Sequence, residues 1–262
     1  MAMEIQSGSL QDRVAIVTGS SRGIGRGIAL HLASLGARIV VSYTTNVAQA
    51  ESVAAQINTN SSGGPTPRAI AVRTDITDPT LVKTLFDEAE RAFNSPVHIL
   101  VNSAGFLDTK FPPIAQTPLE DFDHTFSVNA RGAFLCCKEA AQRLKRGGGG
   151  RIIMLSSSQM GVLSPGFGAY TAAKAAVETM VKILAKELKG TGITANCVAP
   201  GPIATEIGFD EETEKHVKAT IEWCPLGRIG EAKDVGSVVG FLASDGGEWV
   251  NGQVIRLNGG LV

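Results

Sequence analysis

The segment Tyr170-Thr-Ala-Ala-Lys174 sets a phenol and a primary amine four residues apart, a spacing that puts both side chains on one face of a helix. A free phenol has a pKa of about 10, but an ammonium about 4 Å away in an intermediate dielectric is worth about 4 kcal/mol, or roughly three pKa units. Tyr170 could then exchange a proton with a bound oxygen near neutral pH. Upstream, Ser156-Ser-Ser158 closes an apolar run and is joined to Tyr170 by a loop holding Gly161, Pro165, Gly166 and Gly168. A hydroxyl at the end of a strand and a phenol at the start of the next helix can converge on one oxygen. Each feature alone has an ordinary reading, since helices make Tyr-x3-Lys pairs by chance and serine-rich strand ends often cap helices.

A second constellation opens the chain. Thr18-Gly-Ser-Ser-Arg-Gly-Ile-Gly25 lies between a short apolar strand and an amphipathic helix carrying Ile28, Leu32 and Leu35. Glycines at such a turn permit positive φ and bring backbone N–H groups, at the positive end of a helix, up to a pyrophosphate. The spacing is Gly-x3-Gly-x-Gly at Gly19, Gly23 and Gly25, which departs from Gly-x-Gly-x-x-Gly. NAD-binding versions of this arrangement carry an acid near the end of the second strand for the adenosine ribose. Here no carboxylate stands between Asp12 and Glu51, and the place reads Ser42-Tyr-Thr-Thr45. Arg22 inside the turn would meet a 2′-phosphate, so NADP is expected over NAD.

These residues need strands and helices to position them, and the sequence supplies an alternation of the two from end to end. Strands are expected at 13–18, 38–43, 68–72, 98–101, 151–156, 193–198 and 253–257. Helices are expected near 24–35, 46–58, 79–93, 118–146 (broken), 168–189 and 231–243. Strands as apolar as Arg151-Ile-Ile-Met-Leu155 fit a sheet covered on both faces. The expected fold is therefore α/β: a Rossmann-like, doubly wound parallel sheet of about seven strands in a single domain spanning 1–262. The segment 200–225 breaks the rhythm with Pro200-Gly201 and a helix-like piece carrying Ile207, Phe209, Ile221 and Trp223, and reads as a substrate-loop insertion.

Composition limits the function classes. Twenty-four Lys and Arg against 25 Asp and Glu exclude a globally basic nucleic-acid or membrane-surface binder. No uncharged apolar run reaches the roughly 20 residues that cross a bilayer. Four cysteines and four histidines show no ligand spacing, so no metal is expected, and Cys136-Cys137 reads as core packing. Met1–Gln11 leave no room for a signal or transit peptide, and a cytoplasmic location is expected, although a processed organellar protein would look the same.

Thr18-Gly-x3-Gly-Ile-Gly25, Asn102-Ser-Ala-Gly105, Asn129, Ser157, Tyr170-x3-Lys174 and Pro200-Gly201, in this order, resemble the compact single-domain branch of the short-chain dehydrogenase/reductase family from Arg13 to Gly260. The resemblance implies a tetrad: Tyr170 protonates a carbonyl oxygen, Ser157 hydrogen-bonds it, Lys174 lowers the phenol's pKa and holds the nicotinamide ribose, and Asn129 helps to carry protons through a water. Ser157 stands thirteen positions before the tyrosine, as the family's serine usually does, with Ser156 and Ser158 as fallbacks. The implied cofactor contacts are Gly19, Ser21, Arg22, Gly23, Ile24 and Gly25 at the turn, and Ser42, Tyr43 and Thr44 at the second strand. Asp75 and Ile76 are placed beside the adenine, and Asn102, Ala104 and Gly105 along the middle. Pro200, Gly201, Ile203 and Thr205 surround the nicotinamide, with Tyr170 and Lys174. Ser103 replaces the family's usual second asparagine.

The function expected is an NADPH-dependent reductase of small aldehydes or ketones, closest in flavour to plant-type aldehyde reductases. The alternative within the class is a 3-oxoacyl-(acyl-carrier-protein) reductase, weakened because Leu135 and Thr191 stand where carrier-docking arginines are expected. The alternative outside it is a non-catalytic NADP-binding sensor or scaffold, which loss of any tetrad member would have favoured. Trp223, Phe209, Met160, Phe167 and Phe106 either line an apolar substrate pocket or pack locally. The resemblance also implies a homotetramer with two-fold symmetry, or a dimer, since family members with two such long helices and a 252–258 tail usually assemble so.

Overall fold

Seven parallel strands lie in the order β3-β2-β1-β4-β5-β6-β9 in the computed structural model, which describes residues 9–60, 67–205 and 221–262. They are β1 (Val14–Thr18), β2 (Arg38–Tyr43), β3 (Ala69–Arg73), β4 (Val97–Asn102), β5 (Gly150–Leu155), β6 (Ile193–Pro200) and β9 (Val254–Leu257). Each starts and ends within two residues of its expected range, because apolar runs of this length are buried on both faces; β1, β5 and β6 are buried throughout. Two further strands, β7 (Ile203–Ala204) and β8 (Gly230–Glu231), form a separate small pair.

The α-helices among the described residues are α1 (Gly23–Ser34), α2 (Val47–Thr59), α3 (Pro79–Phe93), α4 (Leu119–Phe126), α5 (Ala133–Arg143), α6 (Gln159–Val162), α7 (Gly168–Glu187) and α8 (Ala232–Ala243). On one face of the sheet α1, α2 and α8 bury Ile28, Leu32, Val53 and Val239 against Val17, Ile39 and Ile99. On the other, α3, α5 and α7 bury Phe86, Cys136, Cys137 and Val181 against Ile16, Leu100 and Ile152. Burial pushes the Cys136 and Cys137 thiols up, Cys137 to about 12, which fits packing and not redox chemistry. The break expected in helix 118–146 is a single π-helical turn, Ser127–Gly132, between α4 and α5.

Local chemistry sets the helix starts. Asp78 accepts from Thr80 N and Leu81 N ahead of Pro79, and Asn46 accepts from Gln49 N, so α3 and α2 begin on side-chain caps. Glu231 and Asp234 close a reciprocal capping box on α8. At α1 the N-cap residue, Arg22, makes no side-chain cap bond. The first-turn N–H groups of α1 are thus left for something else, directly above the point where strand order reverses between β1 and β4.

The pairing of β1 with β4 contains a shift: Val14 sits opposite Val97 and Ala15 opposite Ile99. The extra residue, His98, accepts from Val14 N through Nδ1 at 3.2 Å. Burial first, then the Arg13 and Lys145 cations, hold the His98 pKa below its ordinary value, and burial alone does the same to His31. The folded chain therefore takes up these protons less readily than the unfolded chain, and stability falls as pH drops through about 6.5. Urea unfolding of His98→Gln, whose amide oxygen can accept from Val14 N without titrating, is expected to show a shallower loss between about pH 7 and pH 5; an unchanged slope would show that His98 is not the sensitive group.

Candidate active site

The carboxyl ends of β1, β2, β4, β5 and β6 open into one cleft of about 920 Å³. At its floor Gly19 and Gly23 take φ of 62° and 57°, a conformation that a side chain would strain, and a Cβ on Gly19 would meet Ala104 Cα at 2.9 Å. Thr18 fixes the two strand ends on either side: its hydroxyl donates to Asn102 Oδ1 at 2.9 Å and accepts from Ala104 N at 3.1 Å. Ser20 ties in β2 by donating to Val17 O at 2.6 Å and accepting from Ser42 N at 3.1 Å.

Of the residues expected around a dinucleotide, Gly19, Ser21, Arg22, Gly23, Ile24, Gly25, Tyr43, Thr44, Asp75, Ile76, Ala104, Gly105, Tyr170, Lys174, Pro200, Gly201 and Thr205 line this cleft, as does Ser157. Four expected residues do not. Ser42 is 1% exposed with its hydroxyl turned inward and without a partner among the described residues; alternation presents Tyr43 at the strand's end, and Thr44, just beyond the strand, lines the cleft after it. Asn102 is buried against Thr18. Ile203 is buried in β7 opposite Gly230. Asn129 is 1% exposed and spends both ends of its amide on one residue, accepting from Phe106 N at 2.9 Å and donating to Phe106 O at 2.7 Å. It clamps the loop after β4.

Several lining residues escaped the sequence. Thr45, Asn46 and Gln49 border the Tyr43–Thr44 end, and Leu107 and His124 border the Tyr170 end beside Phe106, the one expected pocket aromatic among the described residues that lines the cleft; the His124 ring lies edge-on to it at 4.6 Å. Asn46 was legible as a helix cap; His124 sits five residues before Asn129 with nothing in its neighbours to mark it. Trp223 is 72% exposed and lies outside the cleft, while Phe167 is buried edge-on to Tyr170 at 6.4 Å. Ile207, Phe209 and the rest of 206–220, most of the expected insertion, lie outside the described residues. Among the described residues no group of three or more His, Cys, Asp or Glu could hold a metal ion.

The three serines after β5 separate by the alternation of an extended chain. Ser156 donates to Glu178 Oε1 at 2.6 Å, and Ser158 donates to Ala199 O at 2.9 Å while accepting from Asn258 Nδ2 at 3.0 Å. Ser157, between them, accepts from Gln159 N at 3.2 Å and lines the cleft beside Tyr170, near enough for its hydroxyl to favour the ionised phenol. The fallback serines are thus occupied, and the middle one faces the phenol.

Lys174 is 5% exposed and donates to Leu155 O at 2.8 Å, with its Nζ 5.8 Å from the centre of the Tyr170 ring. Burial pushes the amine down to about 8. The expected acidified phenol is not what the structure holds: burial pushes Tyr170 up, opposed by the Ser157 hydroxyl, and Lys174 is aimed at a carbonyl. A low dielectric penalises both ions, and the i,i+4 spacing says nothing of that penalty. Tyr170 therefore stays protonated at neutral pH, the state a proton donor needs.

The residues present fit a dinucleotide on three structural grounds: an uncapped α1, glycines where side chains would collide, and a β2 end of Tyr43, Thr44 and Thr45 without a carboxylate. Arg22, exposed at the cleft wall, faces that same end.

A family model described as enoyl-(acyl carrier protein) reductase matches residues 19–262. An NADPH-dependent aldehyde reductase-like protein, chloroplastic, from Arabidopsis thaliana is 67% identical over 97% of this chain and 95% of its own. NADPH-dependent aldehyde reductase 2, chloroplastic, from the same plant is 60% identical over 96% and 94%. A short chain dehydrogenase from Burkholderia cenocepacia, solved in complex with NADP, superposes with a TM-score of 0.88 at 33% identity, covering 97% of this chain and 99% of that one. Both Arabidopsis relatives are chloroplastic, which overturns the expected cytoplasmic location; the composition behind that expectation suits either aqueous compartment. Likeness of this extent runs through every strand of the sheet and both ends of the cleft, and the chain belongs to the short-chain dehydrogenase/reductase family.

Proposed function

We propose that the protein is an NADPH-dependent reductase of small aldehydes or ketones. The observation that carries this reading is the meeting of Ser157 and Tyr170 at the wall of a dinucleotide-shaped cleft, with the Lys174 amine behind them. When bound, the reduced nicotinamide supplies a hydride to the carbonyl carbon. Tyr170 gives its phenolic proton to the carbonyl oxygen, and Ser157 donates a hydrogen bond to that oxygen as negative charge develops on it. The Lys174 ammonium, held in place by Leu155 O, is the nearby positive charge that steadies the phenolate left behind. Asn129 holds the Gly105–Phe106 loop through Phe106, and glycine at 105 leaves room beside the amine: a Cβ there would sit 3.1 Å from Asn129 Oδ1 and 3.5 Å from Lys174 Nζ. Phe106 and Leu107 give the cleft an apolar wall for the substrate's side chain.

Arg22, with Thr44 and Thr45, is the set proposed to hold the 2′-phosphate. The carrier-protein alternative gains nothing from Leu135 and Thr191, neither of which carries a positive charge to pair with an acidic partner. For assembly, the exposed Leu119 and Phe122 on α4, Phe134 on α5 and Ile183 on α7 support a homo-oligomer, a tetramer in the fuller form of the proposal.

A panel of aldehydes and ketones, run with NADPH and NADH in parallel, tests the reading. Tyr170→Phe is expected to lower kcat by about 10²-fold or more while NADPH still binds, and wild-type turnover in that variant would remove Tyr170 as the acid. Arg22→Ala is expected to weaken NADPH by about 10-fold and leave NADH nearly unchanged, since an ion pair to phosphate is lost; equal losses for both would place the phosphate elsewhere. For Lys174 the folded-state value, about 8, lies below the ordinary 10.5, so the folded chain bears a penalty of roughly 3 kcal/mol below about pH 8 that disappears as pH rises to 10.5. Lys174→Met is therefore expected to raise Tm by about 3–8 °C at pH 7, to lose that gain near pH 10.5, and to lose most turnover. A lower Tm at pH 7 would show that the amine is not held against its solvation.

A further inference from the structure

Tyr170, Lys174 and Glu178 follow one another at four-residue intervals on α7, drifting by only about 40° around the helix at each step. All three meet the end of β5. Tyr170 stands beside Ser157 at the cleft wall, Lys174 donates to Leu155 O at 2.8 Å, and Glu178 accepts from Ser156 Oγ at 2.6 Å. Successive residues 155, 156 and 157 are thus each met by one face of one helix. The first two contacts belong to the reaction described above, and the third does not.

We propose that Glu178 is a positioning residue for the reduction, acting through Ser156 to hold Ser157 on the substrate's carbonyl oxygen; the inference rests on the proposed role of Ser157. At 2.6 Å the contact has the length of a charge-assisted O–H···O⁻ bond, stronger than a bond between neutral groups. Ser156 is 4% exposed, so without the carboxylate its hydroxyl would be buried with no partner in place. Its backbone is tied on the other side, Ser156 N donating to Val198 O at 2.8 Å, which leaves the side chain as the one adjustable anchor on this residue. Ser157 follows immediately. Its own oxygen is aimed by Gln159 N from one direction, and a shift of the preceding residue would move it off the phenol. The opposite neighbour, Ser158, is anchored to Ala199 O and Asn258, so Glu178 completes a pair of brackets around the reacting hydroxyl. The other charged side chain near this end of the helix, Lys182, lies one further turn along and makes no contact with the serines among the described residues.

The test is steady-state kinetics of Glu178→Ala, Glu178→Gln, Ser156→Ala and the Ser156→Ala/Glu178→Ala double variant, with NADPH affinity and Tm measured alongside. Glu178→Ala is expected to lose about 10- to 100-fold in kcat, the scale of an ångström-level misplacement, with NADPH affinity unchanged. Glu178→Gln keeps an acceptor for Ser156 and is expected to stay within about 3-fold of wild type. The double variant is expected to be no worse than either single alanine variant, because both remove one contact. Wild-type kcat in Glu178→Ala, failure of Gln to rescue, or additive losses in the double variant would overturn the proposal. If Glu178→Ala does not fold, Ser156→Ala reads the same contact from its other end, and wild-type kcat there overturns the proposal equally. Ser157→Ala separates the two levels: full activity in it sinks the role of Ser157 itself, whereas an inactive Ser157→Ala beside an unimpaired Glu178→Ala sinks the Glu178 inference alone.

Discussion

A primary ammonium that is 5% exposed and directed at the carbonyl of Leu155 governs the arrangement of everything around it. Keeping such a group in the interior opposes folding, and the surrounding residues are those that tolerate it. Gly105 contributes no Cβ beside it. Asn129 turns its amide to Phe106, and Tyr170 presents the face of its ring. The two apolar layers that sandwich the sheet supply the rigidity, with Val177 and Val181 on the same helix packed against β-strand side chains. The amine is a functional group held in place by the scaffold at a cost in stability.

That cost was invisible in the sequence. Four-residue spacing announced that phenol and amine share a helix face, but spacing carries no information about dielectric. The sign of the effect on Tyr170 came out opposite to expectation for that reason. The strands were legible to within two residues because uninterrupted apolar runs have one good solution in a covered parallel sheet. Asymmetry within a strand end was legible too, yet read only halfway. Alternation assigns Ser157 and its neighbours to opposite sides, and the same alternation turns Ser42 inward while Tyr43 faces the cleft.

Elements lacking a periodic signal were the ones lost. Nothing in Ser127-Val-Asn-Ala-Arg-Gly132 separates a π turn from a simple interruption, and the short pairing of Ile203–Ala204 with Gly230–Glu231 is too brief to have a pattern. Thr18 stood in plain view inside the glycine turn, but its work, joining the ends of β1 and β4, depends on two segments 84 residues apart. Long-range partnership of that kind appears only when the chain is folded.

The amide of Asn129 mimics a neighbouring strand, offering Phe106 one donor and one acceptor as a backbone unit would. A peptide-like rung projected from a helix ties the length of that helix to the path of the loop beside it. One residue gained or lost upstream within the π turn would swing the rung by about 100°, so the helical count in this stretch is locked by a bond made outside it. A pocket walled by this stretch can change its shape by exchange of side chains without disturbing that phase.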